Sequence, residues 1–169
     1  QTHPPLLQMY SAVFEATDGA VWAAGREDRN KLRSVLKFDG GRWTQYSEVI
    51  GVAYAGGEDA NGTIWFGGVG GITKSGKTYS SVSAFDGKTW RVVKEPEELG
   101  IVGAMHTGRN GDLWIGVRHR GLLRFDGRTW VHYDTWDGLA GNSVKSILET
   151  DDGSVLALTG NGISRFDGR

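Results

Sequence analysis

The sequence predicts an all-β fold of small repeated sheets, on three observations. Glycine is abundant, 27 of 169 residues, more than twice the usual ~7%. Prolines number only 3, and no Gly-X-Y period runs through the chain, so the glycines mark tight turns between short strands. An Asp/Asn-Gly turn followed by an apolar segment recurs four times, as DGAVWAAG, NGTIWFGG, NGDLWIGV and DGSVLALT. Its glycines are Gly19, Gly62, Gly111 and Gly153, spaced 43, 49 and 42. A second mark, FDG, recurs with glycines at Gly40, Gly87, Gly127 and Gly168, spaced 47, 40 and 41. Self-similarity at such a period signals a repeat architecture.

Each unit parses into four strands, a to d. In the first unit, a is Ala12 to Ala16, b is Ala20 to Ala24, c is Ser34 to Phe38 and d is Arg42 to Tyr46. The Asp-Gly turn joins a to b and FDG joins c to d; glycine takes the positive φ of a hairpin corner without a Cβ clash. Strand b is apolar on both faces, as in Leu113-Trp114-Ile115, the pattern of a strand covered on both sides. No apolar stripe of helical period and length occurs, so essentially no helix is expected.

Short sheets that are apolar on both faces must stack face to face, and radial stacking gives a β-propeller of four-stranded antiparallel blades. The chain reads as one domain over 1–169, with blade units at about 11–47, 50–94, 100–134 and 143–169. The fourth unit lacks its outer strand. Trp22, Trp65 and Trp114 on strands b, and Trp43, Trp90 and Trp130 on strands d, are expected as wedges between blades. Leu156 stands at the strand-b position of unit four, which predicts a thinner contact there. Three readings of the incomplete ring stay open: a piece of a larger propeller, a small ring closed by the N-terminal residues, or chains associating to complete a ring.

The stretch GDLWIGVRHRGLLRFDGRTWVHYDTWDGLAGNSVKSILETDDG, Gly111 to Gly153, resembles the two-component regulator propeller repeat. The match is good in unit three and the start of unit four, and looser in units one and two, where the b–c loops are longer. The resemblance implies a ligand-sensing propeller, periplasmic or extracellular, of the kind joined to sensor kinases. Its motif is structural and names no ligand.

Composition narrows the function classes. A net charge of −1 gives no global field to recruit nucleic acid. No run of ~18 apolar residues is present to span a bilayer as a helix. With no cysteine, disulfides and thiolate chemistry are excluded. The histidines His3, His106, His119 and His132 show no metal-ligand spacing, and no nucleophile–base motif stands out, so neither catalysis, nor a metal, nor a cofactor is expected.

Function is then expected on the long, dissimilar b–c and d–a loops, which a rigid scaffold presents on one face. Arg118, His119 and Arg120 offer two guanidinium forks for a carboxylate, sulfate or phosphate. Trp136, the tryptophan off the repeat pattern, suits stacking on a sugar or aromatic ligand, or else plugs the core beneath its loop. Arg26 and Arg29 lie in the charged loop REDRNKLR, and Tyr79 in the serine-rich loop KSGKTYSSVS. The expected partner is a small molecule, a glycan or a protein; self-association or further blades are the other possibility. An enzymatic alternative rests on NGTIWFGG, which is similar to the turns of propeller antibiotic-ring lyases; those are expected to use a metal-dependent histidine site, for which His106 or His119 would be needed here.

Overall fold

The computed structural model describes residues 9–26, 33–46, 52–69, 71–72, 78–79, 82–93 and 100–167. Blade 1 comprises β1 (Met9–Glu15), β2 (Val21–Arg26), β3 (Arg33–Asp39) and β4 (Arg42–Tyr46). Blade 2 begins with β5 (Val52–Glu58) and β6 (Ile64–Val69). A small excursion, β7 (Gly71–Ile72) paired with β8 (Thr78–Tyr79), precedes β9 (Val82–Phe85) and β10 (Trp90–Val93). Blade 3 holds β11 (Val102–Thr107), β12 (Leu113–Val117), β13 (Gly121–Phe125) and β14 (Trp130–Tyr133). Blade 4 holds β15 (Val144–Glu149), β16 (Val155–Thr159) and β17 (Ile163–Phe166). Each sheet is an antiparallel meander, and the fourth has three strands. The chain is therefore an all-β propeller, its fourth blade without an outer strand. One 3-10 turn, Thr135–Asp137, is the sole helical element among the described residues, in keeping with the expectation of essentially no helix.

The four a–b turns are copies of one another. In blade 1 the Gly19 amide donates to the Ala16 carbonyl at 2.9 Å and the Ala16 amide to Ala20 at 2.8 Å. The same pair of bonds recurs around Gly62, Gly111 and Gly153. This is a three-residue hairpin closed by a residue in the left-handed region, and the glycine stands at φ 76 to 83° in all four. The FDG turns, alike in sequence, are not all alike in structure. Gly40 and Gly41 form a two-residue corner between Asp39 and Arg42. In blades 2 and 3 the carboxylate of Asp86 or Asp126 instead folds over the amides of the two residues after the glycine.

The tryptophans assemble the stack. Trp22, Trp65 and Trp114 are buried. Trp22 meets Phe85 at 5.8 Å and Trp90 at 6.3 Å, both from blade 2. Trp65 likewise meets Phe125 at 5.5 Å and Trp130 at 5.9 Å, and Trp114 meets Phe166 at 5.7 Å. Each strand-b indole thus inserts against the FDG phenylalanine of the next blade. Burying one removes roughly 200 Å² from water, an upper bound of about 5 kcal/mol. A cation lies 5.6 Å from each ring centre: Lys37 over Trp22, Arg91 over Trp65 and Arg124 over Trp114. Trp43 lies tilted against Phe38 at 4.9 Å, the same pairing that Trp90 makes with Phe85 and Trp130 with Phe125, and no described blade faces it.

Strand β1 packs on β5, β5 on β11 and β11 on β15. On the far face of blade 4, Leu148, Leu158 and Ile163 are 58%, 43% and 64% exposed. The described blades follow one another in chain order; residues 1–8, on which the expectation of a ring closed by the N-terminal residues rests, lie outside the described residues.

Candidate functional site

In a meander the a–b and c–d turns fall at one end of every blade and the b–c and d–a loops at the other. The best-defined part of the long-loop end is where two loops of blade 3 meet. Val117 pairs with Gly121, so Arg118, His119 and Arg120 form a tight, exposed b–c corner. Among the described residues His119 is the one non-glycine at positive φ, 64°, a conformation that costs an L-residue about 1 kcal/mol. The corner is held from both sides. The Arg118 amide donates to the Ile101 carbonyl at 2.8 Å, and the Gly121 amide to Asn142 at 2.8 Å. The His119 amide donates to Ser143 Oγ at 3.2 Å, and the same hydroxyl lies 3.2 Å from His119 Nδ1. The His132 ring Nε2 hydrogen-bonds the Arg120 carbonyl.

Asn142 and Ser143 end the d–a loop that carries Trp136, so the two candidate elements are joined. That loop is built on a capping box: Asp134 Oδ1 accepts the Trp136 amide at 2.6 Å, and Asp137 Oδ2 accepts the Asp134 amide at 3.0 Å. Thr135 donates its amide to Asn142 Oδ1 at 2.9 Å. With its backbone fixed this way, Trp136 holds its side chain in solvent, 94% exposed. It is not a plug over the core; Leu139, 3% exposed, fills that role and packs beside Trp114 and Val144. The corner thus offers guanidinium groups and the loop an open aromatic face. Arg29 and the side chains of Arg26 and Tyr79 lie outside the described residues; Arg26 ends β2 and Tyr79 lies in β8.

The short-turn end carries two concavities among the described residues. One, about 500 Å³, lies on the innermost strands and is lined by Glu15, Thr17, Glu58, His106, Thr107 and Arg109. The other, about 650 Å³, opens between blades 3 and 4. Its wall includes Arg124, paired with Asp112 at 2.5 Å, an ion pair that holds the guanidinium pKa above its usual value against the opposing pull of desolvation.

Two residues here escaped the sequence reading. Glu58, 8% exposed, accepts the Thr17 amide at 2.6 Å and the Thr17 hydroxyl at 2.9 Å, tying blade 1 to blade 2. Glu149 accepts the Arg109 amide at 2.8 Å and ties blade 3 to blade 4. The available signal was a glutamate closing strand a in three units, at Glu15, Glu58 and Glu149. His106 Nε2 lies 3.7 Å from Glu149 Oε2. Among the described residues no three His, Asp or Glu side chains converge as metal ligands, and no helix is long and apolar enough to cross a membrane.

Neither a protein-family model nor a curated protein sequence matches the chain. Solved structures do match in fold. PorZ, a surface component of the type-IX secretion system of Porphyromonas gingivalis, aligns with TM-score 0.68 at 16% identity, over 98% of this chain and 27% of its own. The extracellular domain of the hybrid two-component system BT3049 of B. thetaiotaomicron gives 0.67 at 13%, over 96% and 22%. A streptogramin B lyase gives 0.64 at 18%, over 94% and 54%. The chain spans about a quarter of the first two chains and about half of the third. The shared feature is the propeller, found in sensor domains like those the repeat resembles and also in enzymes.

Proposed function

We propose that the chain is a non-catalytic binding module of an extracytoplasmic sensor, taking a small acidic ligand or an acidic glycan on the long-loop face. The observation that carries this is the coupling of two loops. A strained His119 corner flanked by two arginines is hydrogen-bonded to the loop that holds Trp136 almost wholly in solvent. Strain in a loop that its surroundings over-determine is a mark of function. Arginine grips a carboxylate or sulfate bidentately, and indole supplies a flat apolar face for a sugar ring. The likeness to sensor extracellular domains supports the location and the role.

The test is saturation-transfer NMR with a panel of neutral, uronic-acid and sulfated disaccharides. Binding of an acidic member is expected. It should weaken at least tenfold in Arg118→Ala and in Trp136→Ala, at unchanged melting temperature. Equal binding of neutral and acidic sugars, or no effect of either substitution, overturns the proposal. The enzymatic reading is favoured by one observation, the His106–Glu149 pair on the innermost strands. Turnover of a lactone or macrocyclic ester that is lost in His106→Ala would establish it instead.

A further inference from the structure

The four innermost strands share one irregularity near the long-loop end. Each shifts register against its neighbour: between Tyr10 and Ala12 in β1, Ala53 and Ala55 in β5, Val102 and Ala104 in β11, and Val144 and Ser146 in β15. The residue left unpaired is Ser11, Tyr54, Gly103 or Lys145. Such a bulge bends its strand and re-aims a side chain. The backbone device repeats, but the side chains on it do not: a hydroxyl, a phenol, none, and an ammonium. In blade 1 the Ser11 hydroxyl crosses to blade 2 and donates to the Ala53 carbonyl. In blade 3 a Cβ on Gly103 would lie 3.3 Å from the Val144 carbonyl oxygen of blade 4. A bulge side chain is therefore aimed from its own blade at the start of the next. Tyr54 holds this place in blade 2 and is 47% exposed. Lys145 holds it in blade 4, exposed and without an ion pair among the described residues.

The bulges of blades 3 and 4 adjoin the corner that carries Arg118 and His119. The His119 amide donates to Ser143, which leads into Val144 and Lys145. The Arg118 amide donates to Ile101, which leads into Val102 and Gly103. Gly103 carries no side chain, so nothing projects from the bulge of blade 3 between Tyr54 of blade 2 and Lys145 of blade 4. We infer that the Arg118–Trp136 site continues inward over Gly103 into a second subsite, in which Lys145 supplies a cation and Tyr54 a flat face. This rests on the acidic-ligand reading above and narrows it: the ligand carries a second acidic group, on the neighbouring sugar unit. Lysine offers a point charge to that group, and the phenol ring an apolar face with a polar tip. Two acids on one molecule engage both cationic points after a single loss of free translation, so the second contact adds to affinity at little entropic cost. The acids of the adjoining loop do not compete, since Asp134 and Asp137 accept backbone amides of their own turn.

The test is NMR titration of the 169-residue protein with digalacturonic acid and with its monoamide, in which one carboxylate is neutralised. The wild-type chain is expected to bind the diacid about tenfold more tightly than the monoamide. In Lys145→Ala the two should bind alike, and Lys145→Arg should keep the preference. Tyr54→Ala should weaken the diacid about fivefold or more, and Tyr54→Phe should keep its affinity. Equal binding of the two probes by the wild type, a preference that survives Lys145→Ala, or no effect of Tyr54→Ala overturns the inference. If Arg118→Ala still weakens both probes in that event, the acidic-ligand reading stands and only the second subsite falls. Binding of neither probe overturns both.

Discussion

Asp126 shows how much one side chain does in this fold. Its Oδ1 accepts the Thr129 amide at 2.7 Å and the Arg128 amide at 2.8 Å, and its Oδ2 the Thr129 hydroxyl at 2.7 Å. The Thr129 amide first, then its hydroxyl and the Arg128 amide, favour the carboxylate and lower its pKa to about 2. Asp86 is lowered by the same set from Thr89 and Lys88. A depressed folded-state pKa means stability that is present above the unfolded value near 3.9 and is lost as pH falls through the folded one. Melting temperature should therefore drop between about pH 4 and pH 2, and the drop should be shallower in Asp126→Asn. Blade 1 lacks this device, because Gly41 and Arg42 stand where the others have Lys88-Thr89 and Arg128-Thr129. Glu58 makes a second residue-scale case. Replacing it with alanine removes both bonds to Thr17 and leaves a part-buried amide without its acceptor. That should cost about 2 kcal/mol by urea unfolding, with the midpoint shifted and the slope unchanged.

At the scale of elements, the b–c corner of blade 3 depends on Gly121. It stands at φ 92°, and a Cβ there would collide with the Tyr133 carbonyl oxygen. Backbone cannot yield to such contact without moving β13 off β14. Gly121→Ala should destabilise the fold by about 2 kcal/mol or more and weaken any ligand of Arg118 and Trp136 together, as read by thermal unfolding and by binding. The a–b turns were legible in the sequence because their chemistry is local: each Asp-Gly or Asn-Gly pair sets its glycine in the left-handed region, whereas the FDG corners diverge with the residues that follow them. The Trp22, Trp65 and Trp114 wedges were legible because a repeated residue in a repeated strand must meet its neighbour the same way each time. The inter-blade glutamates were not. A carboxylate bonded to an amide 41 residues away shows in the sequence only as a glutamate recurring at the end of strand a, and an exposed acid there reads the same. Nor could sequence decide between an open and a plugged Trp136. That turns on the capping box of Asp134 and on Leu139 reaching the core first.

At the scale of the whole molecule, the stack is directional. Every blade presents a strand-b side chain to the next, and in blade 4 that side chain is Leu156. Register places Leu148 and Leu156 on one face, with Leu158 and Ile163 alongside. Arg165, bonded to Asp152 at 2.8 Å, is the charge among them. Contiguous apolar surface of this kind drives association, and a net charge of −1 opposes it only weakly. The chain alone in solution should therefore show a sedimentation coefficient that rises with concentration, and should bind an apolar dye. The double variant Leu148→Lys, Ile163→Lys places two cations on the patch without touching the Trp114–Phe166 junction. It should sediment as a monomer with its strand circular dichroism and melting temperature kept. A wild-type chain that stays monodisperse and binds no dye would mean that this face is covered in solution, because the three strands of blade 4 would otherwise leave three large apolar side chains, Leu148, Leu158 and Ile163, in water.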